Sequence, residues 1–243
     1  YLNIDHLQTK SKGEQDVFLA VFDRNLKVQK LVSFGRDTMD KFAGVAVDSK
    51  GNVVLAGYFT DSITFGSTKL VSEGGSDYFL LKMNSKFEPI WATSFGSVDN
   101  DVYIHERGAL VVDEDDNIYS VGNYSAENNN PPLLLSDTSI KNNGSSDVFI
   151  CKHSKNGQLI WSTTMGGKSS DHSGGVLRLD KQDNLYVFIN PGGRVFFDGI
   201  EHQNPYIGDQ SILFKIDGTN GKKIWDVGVY GKGFGVRSEE HTS

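Results

Sequence analysis

The sequence predicts an all-β fold: an open arc of a β-propeller, with three complete four-stranded antiparallel blades plus partial blades, truncated at both ends. Three observations lead there. One hairpin-length block recurs four times, and a second block alternates with it. The apolar segments are 5–8 residues long, rich in Val, Ile, Phe and Tyr, and bounded by Gly, Asp and Asn turns, which argues against helix.

The first block reads DVFLAVFDRNLKVQKLVSFG (16–35), DYFLLKMNSKFEPIWATSFG (77–96) and DVFICKHSKNGQLIWSTTMG (147–166), aligned without a gap. A fourth copy, QSILFKIDGTNGKKIWDVGVYG (210–231), needs a two-residue allowance. Trp91, Trp161 and Trp225, all the tryptophans of the chain, fall at one position of this block, and Lys30 holds that position in the first copy. The second block reads AGVAVDSKGNVVLAGYF (43–59), GALVVDEDDNIYSVGNY (108–124) and GVLRLDKQDNLYVFINP (175–191). Starts at Asp16, Asp77, Asp147 and about Gln210 lie 61, 70 and 63 residues apart.

Each unit reads as two hairpins. The second block folds over a turn such as Asp48 to Asn52, where Asp and Asn tolerate left-handed backbone and bond their own turn amides. The first block folds over a polar turn such as HSKNGQ at 153–158. Runs such as VFLAVF are apolar on both faces, the pattern of strands buried on both sides. Face-to-face stacking of four-stranded sheets meets that requirement. Small residues in the first strand (Gly44 and Ala46; Gly108 and Ala109; Gly175) fit an innermost, crowded strand.

Composition narrows the function classes. With 24 basic against 31 acidic residues and no basic stripe, the electrostatic attraction that drives nucleic-acid binding is missing, so no nucleic-acid partner is expected. No run approaches the 18 or more apolar residues of a membrane helix, and no membrane insertion is expected of this stretch. The single cysteine, Cys151, excludes an internal disulfide framework.

The combined pattern resembles the bacterial-type β-propeller repeat often called the SBBP repeat. Asp77, Phe79, Lys82, Trp91 and Gly96 match its first element, as do Asp147, Phe149, Lys152, Gly157, Trp161 and Gly166. Gly44, Ala46, Val47, Asp48, Gly51, Asn52, Val53 and Gly57 match its second, and the likeness covers residues 7–231. Departures are Lys30 for Trp, Asp116 and Asp183 for Gly, and Ile189 for a late Gly. The resemblance implies a secreted or cell-surface scaffold without an assigned chemistry, and the repeat, with no concentrated catalytic constellation, adds the expectation that its loops and inter-blade grooves are presented to a protein or glycan. The last copy also resembles, more weakly, the tryptophan-docking motif of quinoprotein propellers, with Asp217, Gly221, Lys222 and Trp225 in order. That likeness keeps a PQQ-type enzyme domain as an alternative, and an adhesin-like surface module is another.

No catalytic residue, metal ligand or cofactor is assigned from the sequence. The tryptophans could stack on a glycan or flat cofactor, but their register makes them core residues of the outer hairpin. Asp113, Asp115 and Asn117 alternate as in a calcium loop, yet the sixth and twelfth positions hold Ile118 and Tyr124 instead of Gly and an acid. His6, His105, His153, His172 and His202 are scattered, without the spacing of a zinc site. Asp171-His172-Ser173 reads as a linker, because adjacent residues on extended chain do not face one another. Asn123 and Asn143 head glycosylation sequons. The segment 125–146 is the longest irregular stretch and reads as a tolerated insertion.

The expected organisation is a partial propeller over 1–236, with a half blade at 1–35 and blades at about 43–96, 108–166 and 175–231. The chain is expected to begin inside one blade and to break off as the next begins, with GKGFGV at 231–236. The tail RSEEHTS at 237–243 reads as a translated sequencing-library adapter, AGA-TCG-GAA-GAG-CAC-ACG-TCT, so Glu239, Glu240 and His241 are candidates for nothing.

Overall fold

In the computed structural model the residues described are 2–12, 16–35, 40–98, 109–125, 133–135, 138–140, 142–197, 200–202 and 210–230. Gly108, His105, the 231–236 segment and the 237–243 tail lie outside them. Among the described residues every regular element is a strand, so the chain is all-β, and all pairing between named strands is antiparallel. Among the described residues no helix is long and apolar enough to cross a membrane.

The chain opens with two hairpins: β1 (Leu2–Ile4) with β2 (Leu7–Thr9), then β3 (Val17–Phe22) with β4 (Val28–Phe34). A four-stranded sheet follows, in the order β5 (Lys41–Val47), β6 (Val53–Phe65), β7 (Thr68–Met83) and β8 (Pro89–Phe95). The next sheet carries β9 (Ala109–Val112), β10 (Ile118–Ser125), β13 (Ser146–His153) and β14 (Leu159–Gly166) in that order. Between β10 and β13 lies a small hairpin, β11 (Leu133–Leu135) with β12 (Thr138–Ile140). The third sheet runs β15 (His172–Leu179), β16 (Leu185–Asn190), β19 (Gln210–Ile216), β20 (Lys223–Tyr230). Its small hairpin, β17 (Val195–Phe197) with β18 (Ile200–His202), leaves the third sheet and pairs with β14, making the second sheet six-stranded.

The apolar cores lie between consecutive sheets rather than within one. Along β6, Val53, Leu55 and Phe59 face the β3–β4 hairpin, while Val54, Ala56 and Tyr58 face the second sheet. Along β13, Phe149 and Cys151 face backward and Val148 and Ile150 face forward. The period-2 geometry of a strand sends alternate side chains to opposite sides, so β6 and β13, apolar on both faces, have protein on both; β3 departs from the sequence expectation, because Phe18 and Phe22 of VFLAVF are exposed. Gly44 marks how closely the first strands approach: a Cβ there would lie 2.9 Å from that of Leu110.

The small hairpins are a recurring element that the sequence repeat does not mark. Leu2–Ile4 with Leu7–Thr9 is the same device as the extension of β6 and β7 around Gly66, as β11–β12 and as β17–β18. Each of the last three reaches back onto the preceding unit: Phe65 meets Phe34 edge-on at 5.6 Å, the Leu134 N–H donates to the Gly96 carbonyl at 2.9 Å, and Phe197 pairs with Met165. The 125–146 segment is therefore not irregular throughout, because it carries β11–β12 with Leu133 and Leu135 buried. Its sequence, LLLSDTSI, hides the hairpin because the turn lacks glycine.

Candidate functional site: the lock between units and the buried carboxylates

Three first-block turns share one five-residue form, and the fourth, Asp217 to Lys222, is one residue longer but also carries a left-handed residue just before its end. Leu26, Phe87, Gly157 and Gly221 occupy the same position with φ of 61°, 65°, 84° and 74°. A side-chain oxygen at the turn start accepts its amides: Asp23 from Asn25 and Lys27, Asn84 from Lys86 and Glu88, and Ser154 from Asn156 and Gln158. Second-block turns behave alike. Gly51, Asp116 and Asp183 have φ of 75°, 67° and 58°, so the two aspartates standing for glycine keep the left-handed turn, as Asp does more readily than other L-residues.

On these turns the tryptophans are seated. The Trp91 Nε1–H donates to the Lys155 carbonyl at 3.1 Å, and that of Trp161 donates to the Gly218 carbonyl at 3.1 Å, each on the next unit. The turn glycines Gly157 and Gly221 lie under the indoles, where an added Cβ would come within 3.0 and 2.8 Å of the rings. A lysine joins each lock: Lys82 Nζ reaches the Lys155 carbonyl at 3.3 Å and Lys152 Nζ the Gly218 carbonyl at 3.1 Å. In the first copy Lys30 does the work of Trp, donating to the Lys86 carbonyl and lying 4.5 Å from the centre of the Phe87 ring.

The same lysines tie the two hairpins of each sheet together. Lys82 pairs with Asp48 at 2.8 Å, Lys152 with Asp113 at 3.5 Å and Lys215 with Asp180 at 2.9 Å. Burial alone would raise the Asp48 carboxyl, but the bonds from Lys82 and Asn52 outweigh it and hold the group at about 2. Asp113 accepts from the amides of Asp115 and Asn117, the Asn117 side chain and the Tyr119 hydroxyl. The calcium-loop pattern of 113–117 is thus a turn whose leading carboxylate is taken up by its own residues.

At the opposite end of the sheets stand buried carboxylates. Asp77 accepts the Glu73 N–H at 2.9 Å and Asp147 the Asn143 N–H at 2.7 Å. Gly96 and Gly166 pack against them so closely that no Cβ would fit. Asp171 accepts the Gly167 N–H at 2.6 Å and the Gly192 N–H at 3.0 Å. Burial pushes Asp77 and Asp171 up to about 6; burial and then the nearby Asp171 charge push Asp147 to about 7.

The remaining candidates separate. His172 pairs with Asn190 in the ladder and the Asp171 carboxylate is held by two glycine amides, while the side chain of Ser173 lies outside the described residues. His153 is buried against Phe95, stacked at 5.8 Å, and burial holds it down to about 4. His6 is exposed in the turn between β1 and β2, and the side chain of His202 is outside the described residues. Among the described residues no group of three His, Cys, Asp or Glu is placed to hold a metal ion. Asn123 is buried with its amide on the Asp171 carbonyl at 2.8 Å, which closes that sequon, whereas Asn143 is exposed.

Comparison of the chain with protein-family models and with curated proteins finds no match.

Proposed function

We propose that this chain is an arc of a β-propeller that serves as a non-enzymatic scaffold, secreted or at a cell surface, offering its loops to a protein or glycan. The observation that carries the reading is the repeated lock. Lys30, Trp91 and Trp161 each bind the next unit's turn, so consecutive sheets stack in one fixed relation, as blades do around an axis. The recurrent polar residues Asp48, Asp113 and Asp180, with their lysines, are engaged in holding turns and sheets together. The likeness of the last copy, Asp217, Gly221, Lys222 and Trp225, to the tryptophan-docking motif bears on architecture, since a docked indole locks units and transforms no substrate.

The test has two parts. Small-angle scattering should fit a curved stack of sheets, and a straight or globular profile would remove the propeller reading. A glycan array and a screen of purified cell-surface ectodomains should yield one saturable ligand. Reduction of an electron-accepting dye by the chain with added pyrroloquinoline quinone, dependent on an added alcohol or sugar that is oxidised in the same step, would overturn the non-enzymatic assignment in favour of the enzyme alternative.

A further inference from the structure

The carboxylates at the end of the sheets away from the tryptophans come in pairs. An aspartate, a glycine 19 residues on and a second aspartate 5 further recur as Asp16, Gly35 and Asp40 and as Asp147, Gly166 and Asp171. The first aspartate stands at the start of β3 or β13, and the second leads into the next unit, Asp40 before β5 and Asp171 before β15. Each pair therefore spans a junction between consecutive units. The glycine lets its members close up. A Cβ on Gly35 would lie 2.5 Å from Asp16 Oδ1 and 2.8 Å from Asp40 Oδ2, so both oxygens surround one point. A Cβ on Gly166 would run into Asp147 Oδ1, and the next N–H along, that of Gly167, is the one Asp171 Oδ2 accepts.

In both pairs one oxygen of the leading aspartate is left open. Asp16 Oδ1 and Asp147 Oδ1 are buried and accept no hydrogen bond among the described residues. The other oxygen of each is taken by the amide four residues back, Lys12 at 2.8 Å and Asn143 at 2.7 Å. Asp147 and Asp171 are both 0% exposed, and the bonds to them come from Asn143, Gly167 and Gly192, with no lysine or arginine paired to either among the described residues. Burial and then the charge of Asp171 push Asp147 up to about 7, so the two carboxylates act on one another. A buried carboxylate with an open oxygen beside a second carboxylate requires a positive charge. Two negative charges on hard oxygen donors suit a divalent cation of the calcium type, whose remaining ligands are ordinarily backbone carbonyls and water. Asp77 differs, because its Oδ1 accepts the Ser72 hydroxyl at 3.3 Å, and Asp101, at the matching spacing, lies outside the described residues.

We propose that Asp16 with Asp40, and Asp147 with Asp171, each bind one calcium ion, which ties consecutive units together at the end opposite the tryptophan locks. The proposal rests on the geometry of the pairs and not on the scaffold reading. Binding displaces the proton that burial favours on Asp147, so uptake strengthens as pH rises.

Isothermal titration calorimetry with calcium chloride, on the full chain first stripped with EDTA, tests it. The wild-type chain should take up at least two ions, and Asp16→Asn and Asp147→Asn should each remove one. Asparagine keeps the shape and the acceptor for the local amide, so circular dichroism in EDTA should show an unchanged β spectrum. Thermal unfolding gives a second readout: saturating calcium should raise the wild-type midpoint by roughly 5 °C, and most of that rise should vanish in the double variant. In EDTA at pH 8 Asp147→Asn should melt above wild type, and saturating calcium should reverse the order. Glu114→Gln with Asp115→Asn, exposed acids of the 113–117 turn, should bind calcium as wild type does. No calcium uptake, uptake undiminished in the double variant, or uptake lost on changing Glu114 and Asp115 would each overturn the proposal.

Discussion

The indole of Trp161 rests on Gly221 of the following sheet and donates its N–H to the Gly218 carbonyl at 3.1 Å, so a single side chain fixes both the spacing and the register of two sheets. Trp91 and Gly157 repeat the relation one unit earlier.

Gly221→Ala should therefore cost more than Gly51→Ala. Both positions are left-handed, at 74° and 75°, and share the backbone penalty of about 1–2 kcal/mol. Only at 221 would the new Cβ meet an indole, at 2.8 Å, whereas nothing lies within 4 Å at 51. Urea unfolding of the two variants measures the difference, and equal losses would show that the indole yields freely.

Replacing Lys82 by Met should destabilise the chain by about 3–5 kcal/mol, because Asp48 is left buried without its cation. The pair also shapes the acid limb. Asp48 is held at about 2 against an ordinary 3.8, so its contribution is complete above 3.8 and is lost as pH falls through 2. Unfolding curves between pH 5 and 2 should be steep in wild type and flatter in Lys82→Met.

Asp147 has the opposite sign. Raised to about 7 by burial first and by Asp171 second, it favours the fold while protonated, and that advantage declines as pH rises from its ordinary 3.8 through 7. Asp147→Asn should melt higher than wild type at pH 8 and by a smaller margin at pH 5. A uniform shift at both values would mean that the carboxylate is ionised in the fold throughout. Asp77 and Asp171, at about 6, add to the same slope.

The first junction should accept the Trp–Gly pair used by the others. Lys30→Trp alone sets an indole against the Phe87 ring, and Phe87→Gly alone removes the ring beneath Lys30 while relieving a left-handed phenylalanine at 65°. Together they recreate the relation of Trp91 to Gly157, and the double-mutant cycle should show favourable coupling of about 1 kcal/mol.

The strands and their turns could be read directly, because they depend on neighbours in the chain. The spacing of Asp48 to Asn52 and of Asp113 to Asn117 encodes a turn whose amides fold onto the leading carboxylate, and the same five-residue form appears in the structure. The register of the tryptophans marked them as structural. What they touch could not be read, since Trp91 and Lys155 are 64 residues apart and only stacking of the sheets joins them.

The small hairpins escaped for a related reason: three-residue strands carry too little period to stand out, and β17–β18 gains its partner from another unit's edge. Local chemistry in the sequence thus specified the all-β repeat, its hairpins and its left-handed turn positions. Only the tertiary arrangement decided which residues meet between the sheets, that Asp147 and Asp171 share one buried end, and that Lys30 substitutes for a tryptophan by reaching the same kind of turn. Each of those depends on burial and on contacts far apart in sequence, which no local pattern records.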